Sequence, residues 1–113
     1  MSKDKVCAQL GFLATGDELI AGDVLNSNTA EMARILLEHR VDCGMQCVVS
    51  DDQQQIHAAL SFLFAQLDIV IMTGGLGPTS DDVTRFAVAD YFNVELQFHQ
   101  PSWQRIVTRL SSR

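Results

Sequence analysis

The sequence predicts an α/β fold, a mostly parallel sheet with helices on both faces, on three observations. Short apolar runs of strand length alternate with segments whose apolar residues recur at helical spacing. The order reads strand then helix three times over, with a further short strand and a last helix beyond. The runs at Val6–Ala14 and Ile69–Met72 are continuous rather than alternating, the pattern of strands buried on both faces. A length of 113 residues suits one domain, 1–113.

Val6 to Ala14 reads as the first strand, ended by Thr15-Gly16. Leu19 to Leu25 reads as a loop. Asn26-Ser27-Asn28-Thr29 offers N-cap residues for a helix to about His39, with Ala30, Ala33, Leu36 and Leu37 on its apolar face. Val41 to Ser50 alternates through Val41, Cys43, Met45, Cys47 and Val49 as a second strand, and Asp51-Asp52 can cap the next helix. That helix presents Ile56, Leu60, Leu63, Phe64 and Leu67 on one face. Asp68 to Thr73 is the third strand. A glycine-rich loop follows, then a helix opened by Asp81-Asp82 that buries Val83, Phe86, Ala87 and Tyr91. Val94 to Phe98 is a candidate short strand, and Pro101 opens a last helix with a Trp103, Ile106, Val107 and Leu110 stripe.

Composition narrows the partners. A net charge of −6 with scattered basic residues argues against nonspecific nucleic-acid binding. No apolar run approaches the roughly 20 residues that span a bilayer, and the charged N-terminus is unlike a signal peptide. The odd count of three cysteines, Cys7, Cys43 and Cys47, favours reduced thiols and a cytoplasmic setting. His39, His57 and His99 read as structural, and no Ser or Cys has a triad context.

Ligands of parallel sheets bind at the carboxyl ends of the strands. Three loops therefore share one rim: 15–22, 50–52 and 73–82. In Thr73-Gly74-Gly75-Leu76-Gly77-Pro78-Thr79, glycines let backbone approach an anion, and successive amides can face it. Gly74, Gly75 and Gly77, with donors from Thr79 and Ser80, make a candidate phosphate cradle; the other reading is a tight turn. The loop is neither a Walker loop nor a GxGxxG fingerprint. Asp81 and Asp82 are either helix caps or holders of a divalent cation bridged to ligand phosphate. Asp17-Glu18 and Asp51-Asp52 bring further acids to the same rim, suited to a metal, to ligand hydroxyls or to activating water.

Four motifs in order are similar to the N-terminal domain of the CinA (competence/damage-inducible) family: Thr15-Gly16-Asp17-Glu18-Leu19-Ile20 with Gly22, Asn26-Ser27-Asn28-Thr29, Val49-Ser50-Asp51-Asp52, and Thr73 to Thr84 with its GGLGPTSDD string. That domain lies in the molybdopterin-binding superfamily, which also holds the molybdopterin adenylyltransferases. The resemblance implies a three-layer α/β/α molybdopterin-binding-like fold and a metal-dependent pyrophosphatase (a hydrolase) that splits ADP-ribose into AMP and ribose 5-phosphate. It implies a small phosphate-bearing ligand (ADP-ribose, a nucleotide or a pterin such as molybdopterin) and Mg, Mn or Co as the divalent metal. Asp82 and Asp51 align with important acids of the adenylyltransferases, and Asp81 replaces their usual Arg, which favours the CinA branch. On this reading Asp82, Asp81 and Asp51 are catalytic. Thr15, Gly16, Gly74, Gly75, Gly77, Thr79 and Ser80 hold the ligand. Asp17, Glu18, Asp81 and Asp82 hold the metal. The alternative is a binding module without turnover. The family domain usually continues by about another 50 residues, a third of a typical domain. A chain without that part is expected to expose a sheet edge or its Trp103 face and to form a homo-oligomer.

Overall fold

Strand β1 (Leu10–Thr15) occupies the middle of a three-stranded parallel sheet, flanked by β2 (Cys43–Val49) and β3 (Ile69–Thr73) in the order β2-β1-β3. The structure is a computed structural model and describes residues 9–112. The expected start of the first strand at Val6 to Ala8 lies outside the described residues. All six residues of β1 are buried, as its continuous apolar run requires. Helix α1 (Asp17–Ile20) turns the chain after β1 where a loop is expected. Helix α2 (Ser27–Glu38) leads to β2, and α3 (Gln53–Phe64) crosses back to β3. Helix α4 (Thr84–Tyr91) follows the glycine loop, and α5 (Gln100–Ser111) ends the described chain.

The strand order explains the layers. The β1-α2-β2 connection steps one way along the sheet, and β2-α3-β3 steps back past β1. Right-handed crossovers in opposite directions place α2 and α3 on opposite faces. The α3 face holds the larger core: Leu13, Ile56, Ala59, Leu60, Leu63, Leu67 and Ala87, with Met45, Cys47 and Val49 of β2 against it. Phe12, next to Leu13, points to the other face and is equally buried. The period-2 pattern of β2 is therefore real. Cys43, Met45, Cys47 and Val49 turn inward, and Gly44, Gln46 and Val48 turn out.

Several expectations need correction. On α2 the inner residues are Thr29, Met32, Ala33 and Leu36, whereas Ala30 and Leu37 face solvent. The inner set keeps the 3–4 spacing but is rotated from the one read, because Thr29 takes the place assigned to Ala30. The apolar run of β3 is only half-buried because, among the described residues, β3 is an edge strand with a single neighbour. Residues 94–98 form no strand. Phe86 is exposed, and α4 packs through Val83, Ala87, Val88 and Tyr91 instead. Pro101 does lie in the first turn of α5, but Trp103, Ile106 and Leu110 stay 49%, 50% and 64% exposed, so the stripe has no cover.

Candidate functional site

The carboxyl ends of the three strands bring the three rim loops together. The Gly16 amide donates to Val49 O at 3.0 Å, which joins the ends of β1 and β2. One residue on, the loops exchange a reciprocal pair of bonds. The Asp17 amide donates to Asp51 Oδ2 at 3.2 Å, and the Asp51 amide donates to Asp17 Oδ1 at 3.0 Å. Each carboxylate thus braces the other's backbone. Asp52 has a separate task, capping α3 by accepting from the Gln55 amide at 2.9 Å.

The glycine loop leaves β3 with Gly74 and Gly75 at φ 93° and 65°. These left-handed conformations suit glycine, and contact forbids a side chain as well. A Cβ on Gly74 would strike the Thr15 carbonyl, and one on Gly75 would strike Thr84 Oγ1. Beneath the turn, Thr15 Oγ1 and Thr84 Oγ1 lie 3.1 Å apart, both residues 2% exposed. Thr15 therefore forms the floor beneath the turn, and its partner Thr84 carries no expected role. Only the adjacent glycines could have pointed to Thr84, since nothing in its local sequence does.

The second half of the loop folds on itself. Asp82 Oδ2 accepts from the Thr79 amide at 3.1 Å and from Thr79 Oγ1 at 2.7 Å. The Thr79 hydroxyl and then its amide hold the Asp82 carboxyl below the ordinary value of 3.8, against desolvation, with lesser help from the Gly77 amide and Arg85. In this conformation Thr79 serves Asp82 rather than a ligand. Asp81 and Asp82 do not open the helix as expected. The N-cap of α4 is Val83, and its first turn holds no acid. The Thr79–Asp82 bonds close a turn of their own, and the helix begins only after it.

A cavity of about 190 Å³ lies beside the turn. Thr15, Glu18, Asn26, Ser27, Thr73 and Gly74 line it, so it runs from the glycine loop to the start of α2. The α2 N-cap, Asn26, makes no side-chain cap, which leaves the first-turn amides of that helix to other partners. Glu18 folds back over Gly16, where a Cβ would stand 2.5 Å from its Oε1. Ser80 and Asp81 are exposed on the loop's outer side. The acids do not converge as expected. Among the described residues no three of His, Cys, Asp and Glu come together as a metal-holding group. No helix among them is long and apolar enough to cross a membrane.

A parallel sheet in 2-1-3 order, with a glycine turn seated on buried threonines at its carboxyl edge, defines an α/β domain whose rim loops meet at the edge where such sheets take ligands. The family model described as "Probable molybdopterin binding domain" matches residues 11–112, and the chain belongs to that family. A CinA-like protein of Dictyoglomus thermophilum is 40% identical over 95 residues, covering 84% of this chain and 23% of the relative. The chain thus spans about a quarter of the length of such relatives. The solved CinA protein of Thermoplasma acidophilum superposes with a TM-score of 0.82 at 27% identity, over 93% of this chain and 62% of that one. MoaB, the molybdopterin biosynthesis enzyme of Thermus thermophilus, shares the fold with a TM-score of 0.69 at 20% identity, over 74% and 54% of the two chains. The CinA resemblance and the α/β fold read from the sequence both stand.

Proposed function

We propose that the chain binds the diphosphate of ADP-ribose, or of a related nucleotide, between the Gly74-Gly75 turn and the start of α2, and hydrolyses it with a divalent cation. The observation that carries this reading is the 190 Å³ cavity between the glycine turn, which reaches it through Gly74, and the uncapped start of α2 at Asn26, Ser27 and Asn28. Water would add to one phosphorus and cleave the P–O–P link, giving AMP and ribose 5-phosphate. A carboxylate such as Asp82 suits a cation held jointly with ligand phosphate, the usual way that Mg is bound. Both bonds from Thr79 fall on Oδ2 of Asp82, which leaves Oδ1 for a cation. Bound there, Mg, Mn or Co would polarise phosphoryl oxygen and acidify water. Glu18 borders the cavity and suits ligand hydroxyls, and the Asp17–Asp51 brace fixes the rim.

The test is incubation with ADP-ribose, with and without Mg, Mn or Co, followed by chromatography for AMP. Asp82→Ala is expected to lower turnover by about a hundredfold or more, the scale of losing one electrostatic stabiliser. Unchanged turnover would remove Asp82 from the mechanism. One observation favours a second reading, a binding module for a nucleotide or a pterin such as molybdopterin. Asp17, Asp51 and Asp82 each spend carboxylate oxygens on backbone amides of this chain. A ligand-induced rise in melting temperature without AMP release would select that module.

A further inference from the structure

We infer that the buried Thr15–Thr84 hydroxyl pair sets the conformation of the Gly74-Gly75 turn, so that Thr84 is a positioning residue of the site, acting through Thr15 and the two glycines. The functional half of this inference rests on the reading of that turn as the phosphate seat.

The pair joins three elements at one point. Thr15 ends β1, Thr84 opens α4, and Thr73 ends β3. The Thr15 hydroxyl is directed to Thr73 O at 3.5 Å. Thr15 Oγ1 and Thr84 Oγ1 share a 3.1 Å bond in which either hydroxyl can donate. The turn is moulded on the same two groups. A Cβ on Gly74 would lie 2.8 Å from Thr15 Oγ1, and one on Gly75 would lie 3.2 Å from Thr15 Oγ1 and collide with Thr84 Oγ1. The Thr84 amide also donates to Gly75 O at 3.3 Å, so one residue holds the turn through both backbone and side chain. Among these residues the left-handed φ angles of the two glycines and the two hydroxyls form one interlocked unit.

Valine keeps the shape of threonine but replaces the hydroxyl with a methyl, which deletes the bond to Thr15 and sets a bulkier group against Gly75. Serine keeps the hydroxyl alone. The experiment compares the wild-type chain with Thr84→Val and Thr84→Ser. Hydrogen exchange at the Gly75 and Leu76 amides is followed by NMR. Affinity for ADP-ribose with Mn is measured by calorimetry, and folding is checked by circular dichroism. Thr84→Val is expected to stay folded, to speed exchange at both amides, and to weaken ADP-ribose about tenfold, the scale of one lost buried hydrogen bond. Thr84→Ser is expected to restore both readings to near wild type. A folded Thr84→Val protein with wild-type exchange at Gly75 and Leu76 would overturn the inference. If Thr84→Val does not fold, Thr84→Ala takes its place, and equal exchange in Thr84→Ala and Thr84→Ser would overturn it. Absence of ADP-ribose binding by the wild type would defeat the ligand reading alone, because the exchange comparison still decides whether the pair sets the turn.

Discussion

Asp82 shows how one side chain can be tied into a loop and still be available to a ligand. Its Oδ2 takes both donors of Thr79, and those bonds stabilise the charged form of the carboxyl most. A carboxyl whose folded pKa lies below its unfolded value contributes stability that is present above the unfolded value, and that is lost as pH falls through the folded one. The Thr79–Asp82 turn is therefore expected to persist from neutral pH to below 3.8. Following the Asp82 carboxyl carbon by NMR should give a midpoint under that value. Thr79→Val, which removes the first-ranked cause, should move the midpoint upward. A wild-type midpoint at or above the ordinary value would mean that the turn is not formed in solution. The candidacy of Asp82 is readable from its place in the GGLGPTSDD string, but its partner Thr79 is not. Thr79 looked like a phosphate donor because its hydroxyl sits in a glycine loop, and sequence spacing cannot say which of two acceptors three residues apart or outside the chain wins a proton.

The helices show what local chemistry reveals about element ends. Helix α2 closes with a two-bond motif in which Val41 N donates to Leu36 O and Arg40 N donates to Leu37 O, each at 2.9 Å. The motif requires a left-handed residue at position 40, and Arg40 supplies it at φ 61°. Helix α4 ends the same way, with Val94 N on Ala89 O and Asn93 N on Asp90 O, and Asn93 at φ 54°. Asparagine tolerates that conformation, whereas arginine meets the clash between Cβ and the following carbonyl oxygen. Arg40→Gly is expected to raise stability to urea by about 0.5–1 kcal/mol, the clash relieved less the added entropy of the unfolded chain. An unchanged or lower midpoint, with the slope preserved, would show that the arginine side chain contributes packing that outweighs the strain. Element existence was legible because period-2 and period-3.6 patterns are dictated by burial against the sheet. Faces were less so. Ala30 and Leu37 looked as apolar as Ala33 and Leu36, and only the angle at which α2 meets β2 selects among them. The strand read at Val94 to Phe98 failed for a related reason. Its β-forming residues have no strand beside them, and without a ladder propensity alone does not make a strand.

At the scale of the whole molecule, the described surface is more apolar than a lone small domain needs. Leu76, Val94, Leu96 and Phe98 are 59%, 60%, 52% and 73% exposed, beside the uncovered Trp103, Ile106 and Leu110 of α5. Among the described residues strand β3 has a partner on one side only, so its other edge presents amides and carbonyls without a strand partner there. Patches of this kind mark association surfaces. Helix α5 also carries Arg105 and Arg109 with no acid, in a chain of net charge −6. The chain is therefore expected to form a homo-oligomer held mainly by burial of the α5 stripe. Sizing with light scattering at micromolar concentration should give a mass above that of one chain. Ile106→Glu, which places a charge in the stripe without touching the sheet or the glycine loop, should shift the mass toward the monomer while circular dichroism stays unchanged. Added salt should weaken the assembly only partly if apolar burial dominates, because screening acts on the arginines and not on Trp103 or Leu110. A wild-type chain that stays monomeric throughout the micromolar range would overturn the expectation. A wild-type oligomer unaffected by Ile106→Glu would move the contact from α5 to the open edge of β3.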